Sequence, residues 1–244
     1  MLPIEEPPLT SLLIADRHQR LVAQLREAAE RAGRDPEAFR VVAVTKGFDA
    51  TVVRRAREAG LRCFGENRVQ EGLVKVAAVP DAEWHLVGRL QANKVRPAIG
   101  SFAVIHSVDS LDLLRRMDRI AAEEARVPLA LLQVNLSGEP SKAGFDSAWF
   151  ADELRQPGTL LATLDALRAV RVSGLMTIGV AGASVEDARR LFGRLRQLRD
   201  ELVERTSRAL PDLSMGMSGD AEAAVAEGAS LVRIGTAIFG PRPG

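Results

Sequence analysis

In the stretch RVVAVTKGFD, residues 40–49, an apolar run ends on Lys46 followed by Gly47. Of the 33 Lys and Arg residues only four are lysine, namely Lys46, Lys75, Lys94 and Lys142. A lysine closing a run of buried type therefore needs a reason that arginine does not supply. A desolvated lysine amine can lose its proton and attack a carbonyl to give a Schiff base, whereas a guanidinium stays protonated and cannot. Read alone, Lys46 is equally a solvated charge closing a strand.

The other polar residues with chemical capacity also fall at the ends of β-rich runs. They are Thr45 beside Lys46; Gly65, Glu66 and Asn67; His85 with Gly88; His106; Asn135; Met176 and Thr177; Ser218 and Asp220; and Arg233, Gly235 and Thr236. Each has an ordinary role when taken singly: the histidines as satisfied core residues, Met176 as packing, Asn67 and Ser218 as helix N-caps. The segment SMGMSGDAEAAVAEG, residues 214–228, places small residues before a helix expected to begin near Ala221. Backbone N–H groups and the Ser218 hydroxyl there are suited to an anion. In RIGT, Gly235 permits close backbone approach and Thr236 adds a hydroxyl, so the two segments together suggest a phosphate cup, which Asp220 would oppose if it turned inward.

The elements that must position these residues alternate. Apolar residues from Leu12 to Ala32 recur at helical spacing before Gly33. Eight β-rich runs follow: RVVAVTK, LRCFG, EWHLVG, FAVIHSV, LALLQVNL, RVSGLMTI, LSMGMS and LVRIGTAIFG, beginning at Arg40, Leu61, Glu83, Phe102, Leu129, Arg171, Leu213 and Leu231. Helices are expected over residues 50–59, 67–78, 110–126, 148–167, 185–210 and 221–227. Alternation of strand and helix implies parallel pairing, and eight repeats close a (β/α)8 TIM-type barrel, whose chemistry gathers at the C-terminal strand ends. An open doubly wound sheet is the alternative. The helix before the first strand is expected to fill the place of a long eighth helix. The expected organisation is a flexible arm over residues 1–11 and a barrel domain over residues 12–244.

Composition narrows the function classes. The net charge is +1, from 33 basic and 32 acidic residues interleaved along the chain, which points to neither nucleic acid nor an anionic membrane surface. One cysteine excludes an intrachain disulfide, and three histidines show no zinc-site spacing, so no metal is expected. The acidic, proline-rich N-terminus is unlike a secretory signal, and no run of about 18 apolar residues occurs. A cytoplasmic protein with no membrane partner is expected.

Lys46 after VVAVT, FGENRVQEG from Phe64, WHLVGRLQANK from Trp84, SKAG from Ser141, GLMTI from Gly174, SMGMSGD from Ser214 and VRIGTAIFG from Val232 occur in one order. With them the chain closely resembles the pyridoxal phosphate homeostasis proteins, single-domain relatives of alanine racemase, over residues 40–240. The resemblance implies an alanine racemase N-terminal domain-like barrel in which Lys46 holds pyridoxal 5'-phosphate as an internal aldimine. It also implies that Ser218, Gly235 and Thr236 bind the phosphate, that Arg233 faces the pyridine nitrogen, and that Asn67, His85 and Met176 line the ring. Two departures touch the rim: Gly179-Val180 follow GLMTI where the family commonly has proline, and Gly219 follows Ser218 where an acidic residue is frequent.

An arginine at the pyridine nitrogen keeps that nitrogen unprotonated and weakens the ring as an electron sink. Racemases of this resemblance use a tyrosine from a second domain as their second base, and this sequence has no tyrosine. The expected function is therefore cofactor homeostasis with little or no catalysis, a monomer with apo pyridoxal phosphate enzymes as candidate recipients. The alternative is an amino acid racemase using His85, His106 or Cys63 as a replacement base.

Overall fold

The computed structural model describes residues 9–139, 142–156 and 158–242. Residues 1–8 of the expected arm, and Ser141 of the SKAG motif, lie outside the described residues. Helix α1, Ser11–Arg31, begins one residue before the expected start, because the Thr10 side chain accepts the Leu13 N–H. It buries Ile14, Leu21, Leu25, Ala28 and Ala29, and Gly33 beyond its end takes a left-handed φ of 67°.

Eight strands close a parallel ring: β1 (Arg40–Val44), β2 (Cys63–Glu66), β3 (Glu83–Leu86), β4 (Val104–Val108), β5 (Leu129–Asn135), β7 (Arg171–Met176), β8 (Asp212–Ser214) and β9 (Leu231–Ile234). Strand β1 pairs with both β2 and β9, and β4 pairs with β5, so the sheet has no free edge and the open doubly wound arrangement is excluded. A two-residue strand β6, Phe145–Asp146, is appended to β5. Helices α2 (Ala50–Glu58), α3 (Val69–Ala78), α4 (Val95–Ser101), α5 (Leu111–Glu123), α6 (Ser147–Arg155), α7 (Thr159–Ala166), α8 (Val185–Thr206), α9 (Ala221–Ala226) and α10 (Thr236–Phe239) surround it. Helix α1 packs against α2, α9 and α10 and so closes the outer ring where the expected gap lay.

Three elements depart from the sequence reading. The helix expected over 148–167 is two helices, α6 and α7, because Pro-Gly at 157–158 interrupts it; Gly158 is the N-cap residue of α7. The last β-rich run is strand only to Ile234, and Thr236 opens the one-turn helix α10 with Gly235 as its N-cap residue. Helix α4 falls in KVRPAIGS, a segment too short and too weakly periodic to announce itself.

Burial divides into two layers. The large core, with Phe64, Trp84, Phe150 and Phe192, fills the space between strands and helices, while Val42, Val104, Leu131, Met176 and Leu231 fill the barrel interior. Alternation along β1 then sends Val42, Val44 and Lys46 inward and Ala43 and Thr45 toward the helices. Close approach at the strand ends demands glycine: a Cβ on Gly88 would sit 2.2 Å from the Asn67 carbonyl oxygen. Gly88→Ala is therefore expected to cost about 1–3 kcal/mol by overpacking, read as a lower denaturant midpoint at unchanged slope, because backbone cannot move aside as a flexible side chain can.

Candidate functional site

Lys46 sits half-buried one residue beyond Thr45 at the C-terminal end of β1. No described residue offers its Nζ a hydrogen bond or an ion pair. The backbone around it is fixed from behind. Thr45 is fully buried on the helix side, where its hydroxyl donates to Glu66 Oε1. Lys75 of α3, 2% exposed, gives its ammonium hydrogens to Thr45 O at 2.7 Å, Glu66 Oε1 at 2.6 Å and Glu71 Oε1 at 2.7 Å. Glu71 Oε1 also accepts the N–H of Gly47, whose φ of 78° suits glycine. Lys46 is thus flanked on both sides by residues tied to one buried charge cluster.

The cluster's carboxylates are pulled in opposite directions. Burial pushes the Glu66 carboxyl up, against the lowering effect of its bonds from Lys75 and Thr45. Burial also opposes ionisation of Glu71, but bonds from Lys75 and from the Gly47 N–H outweigh it and hold Glu71 below its ordinary value. Sequence reasoning passed over Lys75. Its signal was the spacing of FGENRVQEGLVK, which puts Glu71 and Lys75 one helical turn apart, but nothing local announced that both would face Glu66 across a strand end.

Two segments meet near the Lys46 mouth, the β8–α9 turn and the start of α10. Ser218 and Thr236 are both exposed, and Ser218 Oγ accepts the Ala237 N–H at 3.3 Å, which joins the β8–α9 turn to α10. Among the described residues, the N–H groups of Ser218, Gly219 and Thr236 have no acceptor. Gly235 lies against β1, where a Cβ would stand 3.2 Å from Val44 O. Phe239 packs on Phe48, with ring centroids 5.5 Å apart, so α10 and the Lys46 loop are tied together. Asp220 is taken up by its own turn: Oδ1 accepts the Met217 N–H at 2.6 Å, and a Cβ on Gly179 would meet Oδ2 at 2.4 Å.

Arg233 points into the barrel, 6% exposed, with Nη1 donating to Ser214 Oγ at 2.6 Å and Nη2 to Thr177 O at 2.9 Å. Burial lowers its pKa to about 10, opposed by Asp220, which leaves it charged at neutral pH. His85 is not at the rim. It is fully buried, bonded through Nδ1 to His106 Nε2 at 2.8 Å and through Nε2 to Glu83 Oε1 at 2.6 Å. Met176 is fully buried in the interior apolar cluster. Asn67 is half-buried beside Gly88. Asn135 organises its own loop, donating to Glu139 O and Lys142 O. Lys142 donates to Glu139 Oε1 and reaches Gly179 O at 3.2 Å.

At the opposite, N-terminal mouth, Cys63, Glu83 and His85 bring ligand-type atoms within 4.8 Å of one another. Separation in sequence hid this group. Arg40 contacts both Glu83 oxygens at 3.2 Å. Burial pushes the Cys63 thiol up to about 12, so it stays protonated.

The fold and the Lys46 mouth define a barrel of the alanine racemase N-terminal domain type, and that family's model matches residues 17–243. A relative from Aquifex aeolicus (strain VF5), named pyridoxal phosphate homeostasis protein, is 41% identical over 93% of this chain and 97% of its own. The structure of PipY of Synechococcus elongatus PCC7942 with PLP bound is 40% identical, covers 93% of this chain and 100% of its own, and superposes with a TM-score of 0.79. Alanine racemase from Clostridium difficile 630 shares the fold, with a TM-score of 0.68 at 13% identity, and this chain spans 60% of its length. The chain belongs to the pyridoxal phosphate homeostasis protein family.

Two outcomes follow from the charge clusters. Lys75→Ala leaves Glu66 buried without its partner and is expected to cost about 3–5 kcal/mol in denaturant unfolding, while Lys75→Met with Glu66→Gln recovers most of that loss. The interaction with His85 chiefly holds Glu83 down to about 2 against burial, and Arg40 acts in the same direction. Its contribution to stability is therefore complete above the unfolded value of 4.5 and is lost as pH falls toward about 2. Glu83→Gln should flatten the fall of the unfolding midpoint across that window and leave its slope above it unchanged.

Proposed function

We propose that this chain binds pyridoxal 5'-phosphate and maintains its intracellular supply, holding it covalently on Lys46 with little or no catalysis. The observation that carries the reading is an unbonded amine at a strand end beside a cup of unpaired N–H groups and hydroxyls. Of the other lysines, Lys75 has its hydrogens committed and Lys142 is bonded to Glu139 and Gly179. When bound, the cofactor supplies an aldehyde that condenses with an amine, releasing water. The PLP-bound state of PipY supports the same use of this barrel.

In this reading Ser218, Gly235 and Thr236 bind the phosphate, Arg233 faces the pyridine nitrogen, and Asn67 and Met176 line the ring, whereas His85, which the resemblance also puts there, is fully buried and bonded to Glu83 at the opposite mouth. The charge on Arg233 withholds a proton from that nitrogen. The candidates for a second base support the non-catalytic reading: His85 and His106 are buried and bonded to each other, and Cys63 opens β2 at the far mouth with a protonated thiol. The barrel over residues 12–244 acts as one monomeric cofactor domain whose recipients are apo pyridoxal phosphate enzymes. No helix among the described residues is long and apolar enough to cross a membrane.

Borohydride reduction after removal of free ligand should fix the cofactor on the Lys46 peptide, and an adduct on Lys94 or Lys142 would overturn the assignment. Thr236→Val should weaken cofactor binding by about 0.5–1.5 kcal/mol and leave affinity for pyridoxal, which lacks the phosphate, unchanged. Exchange of amino acid α-protons in deuterated water should stay well below about 1 per second across a panel of L- and D-amino acids. Turnover above that rate, abolished by Lys46→Ala, would establish the racemase alternative.

A further inference from the structure

Parallel barrels of this kind fill their interior with layers of bulky apolar side chains. Here a chain of polar groups crosses the interior from one mouth toward the other. Arg233 Nη1 lies 2.6 Å from Ser214 Oγ; Ser214 Oγ lies 2.8 Å from His106 Nδ1; His106 Nε2 lies 2.8 Å from His85 Nδ1; and His85 Nε2 lies 2.6 Å from Glu83 Oε1. Ser214, His106 and His85 are fully buried, while Glu83 opens β3 at the far mouth with Arg40 on its carboxylate. The residues come from β3, β4, β8 and β9, so only the closed ring brings them into line.

The two ends favour one direction for the protons between them. A guanidinium only donates and a carboxylate only accepts. In that direction Ser214 Oγ accepts from Arg233 and gives its single proton to His106 Nδ1. The proton of His106 then sits on Nε2 and goes to His85 Nδ1, and the proton of His85 sits on Nε2 and goes to Glu83. In this arrangement both rings carry the same tautomer, with no donor facing a donor. Burial, followed by the charges around it, pushes His106 well below its ordinary value, in agreement with a neutral ring. The other titratable groups facing the chain are Cys63 on β2, 3.4 Å from His85 Nε2, Asp212 on β8 acting on Arg40, and Asp220 before α9 acting on Arg233.

We propose that Glu83, His85, His106 and Ser214 are positioning residues for Arg233, a one-directional hydrogen-bond relay that fixes the orientation of the guanidinium at the Lys46 mouth from an anchor at the opposite mouth. Reversal of the His106 ring places a second donor on Ser214 Oγ, whose own proton then loses its acceptor on that ring, and the alignment of Arg233 is weakened. Glu83 prevents this by accepting only. The consequence for the cofactor rests on the reading of Arg233 given under the proposed function; the relay itself does not.

The relay is tested first without cofactor. Long-range nitrogen-15 correlation spectra of the apo-protein at neutral pH should show His85 and His106 both as Nε2–H tautomers, with His18 as an internal comparison, and slowly rotating Arg233 guanidinium signals. In Glu83→Gln, whose amide can donate as well as accept, both histidines should become tautomer mixtures and the Arg233 signals should broaden, while Glu83→Asp restores a single tautomer. Nδ1–H rings in the wild type, or unchanged spectra in Glu83→Gln, would overturn the relay. Ser214→Ala, which removes the middle acceptor with little change of shape, gives the same decision at His106 and Arg233 if Glu83→Gln does not fold. The dissociation constant for pyridoxal 5'-phosphate should rise about three- to tenfold in Glu83→Gln. An unchanged constant alongside mixed tautomers would overturn the positioning role. A wild type that binds no cofactor would overturn the proposed function, and the spectra would still decide the relay.

Discussion

A buried charge persists only when it is paired or hydrogen-bonded, and two buried cations, Lys75 and Arg233, organise this molecule from opposite sides of the barrel wall. Lys75 stands outside the wall and gathers Thr45 O, Glu66 and Glu71 onto one ammonium. Arg233 stands inside and gathers Ser214 and Thr177 O. Lys46 emerges between them. The strand that carries it is clamped behind by one cation and faced by another, so its own amine is the basic group left uncommitted at that end of β1.

The pairing explains why the surrounding backbone tolerates so little change. Thr45 O is shared between Lys75 Nζ and the Phe48 N–H, and Gly47 gives its N–H to Glu71 while lying in the left-handed region. Any shift of the TKG turn disturbs the bond from buried Lys75 to Thr45 O, and an unmade bond there costs more than the bond was worth. Rigidity of the Lys46 mouth is thus inherited from charge satisfaction and not from the loop's own sequence.

Much of this is legible in the sequence. Period-two and period-3.6 runs alternate strongly enough to give eight strands, and the helix from Leu12 was correctly assigned to the gap left by the short α10. Lys46, Ser218, Gly235 and Thr236 stand out in the sequence because they gather at strand ends in a chain that otherwise prefers arginine, although each also has an ordinary use. What escaped was non-local. Glu66 and Lys75 lie on separate elements, and Glu83, His85, His106, Ser214 and Arg233 meet only when β3, β4, β8 and β9 share one interior. A single sequence gives each histidine an innocent reading, and in one sense that reading holds: both are satisfied core residues, satisfied by each other. The break between α6 and α7 was visible as Pro-Gly but was outweighed by the apolar periodicity on either side.

The two rim departures belong together. Gly179 has no side chain where Asp220 Oδ2 lies, and a Cβ there would stand 2.4 Å from that oxygen. Gly219 leaves Asp220 as the acidic residue of the turn, and its other oxygen accepts the Met217 N–H. Asp220 can therefore lean against residue 179, cap its own turn and keep its charge out of the cup formed by Ser218 and Thr236. From that position it also opposes the effect of burial on Arg233. A bulkier residue at 179 would push Asp220 off this seat, toward the N–H groups whose lack of an acceptor defines the cup, and would weaken the support that keeps the interior guanidinium charged. The glycine pair is a compensation: one position gives up its side chain so that a carboxylate beside the proposed anion site can face away from it.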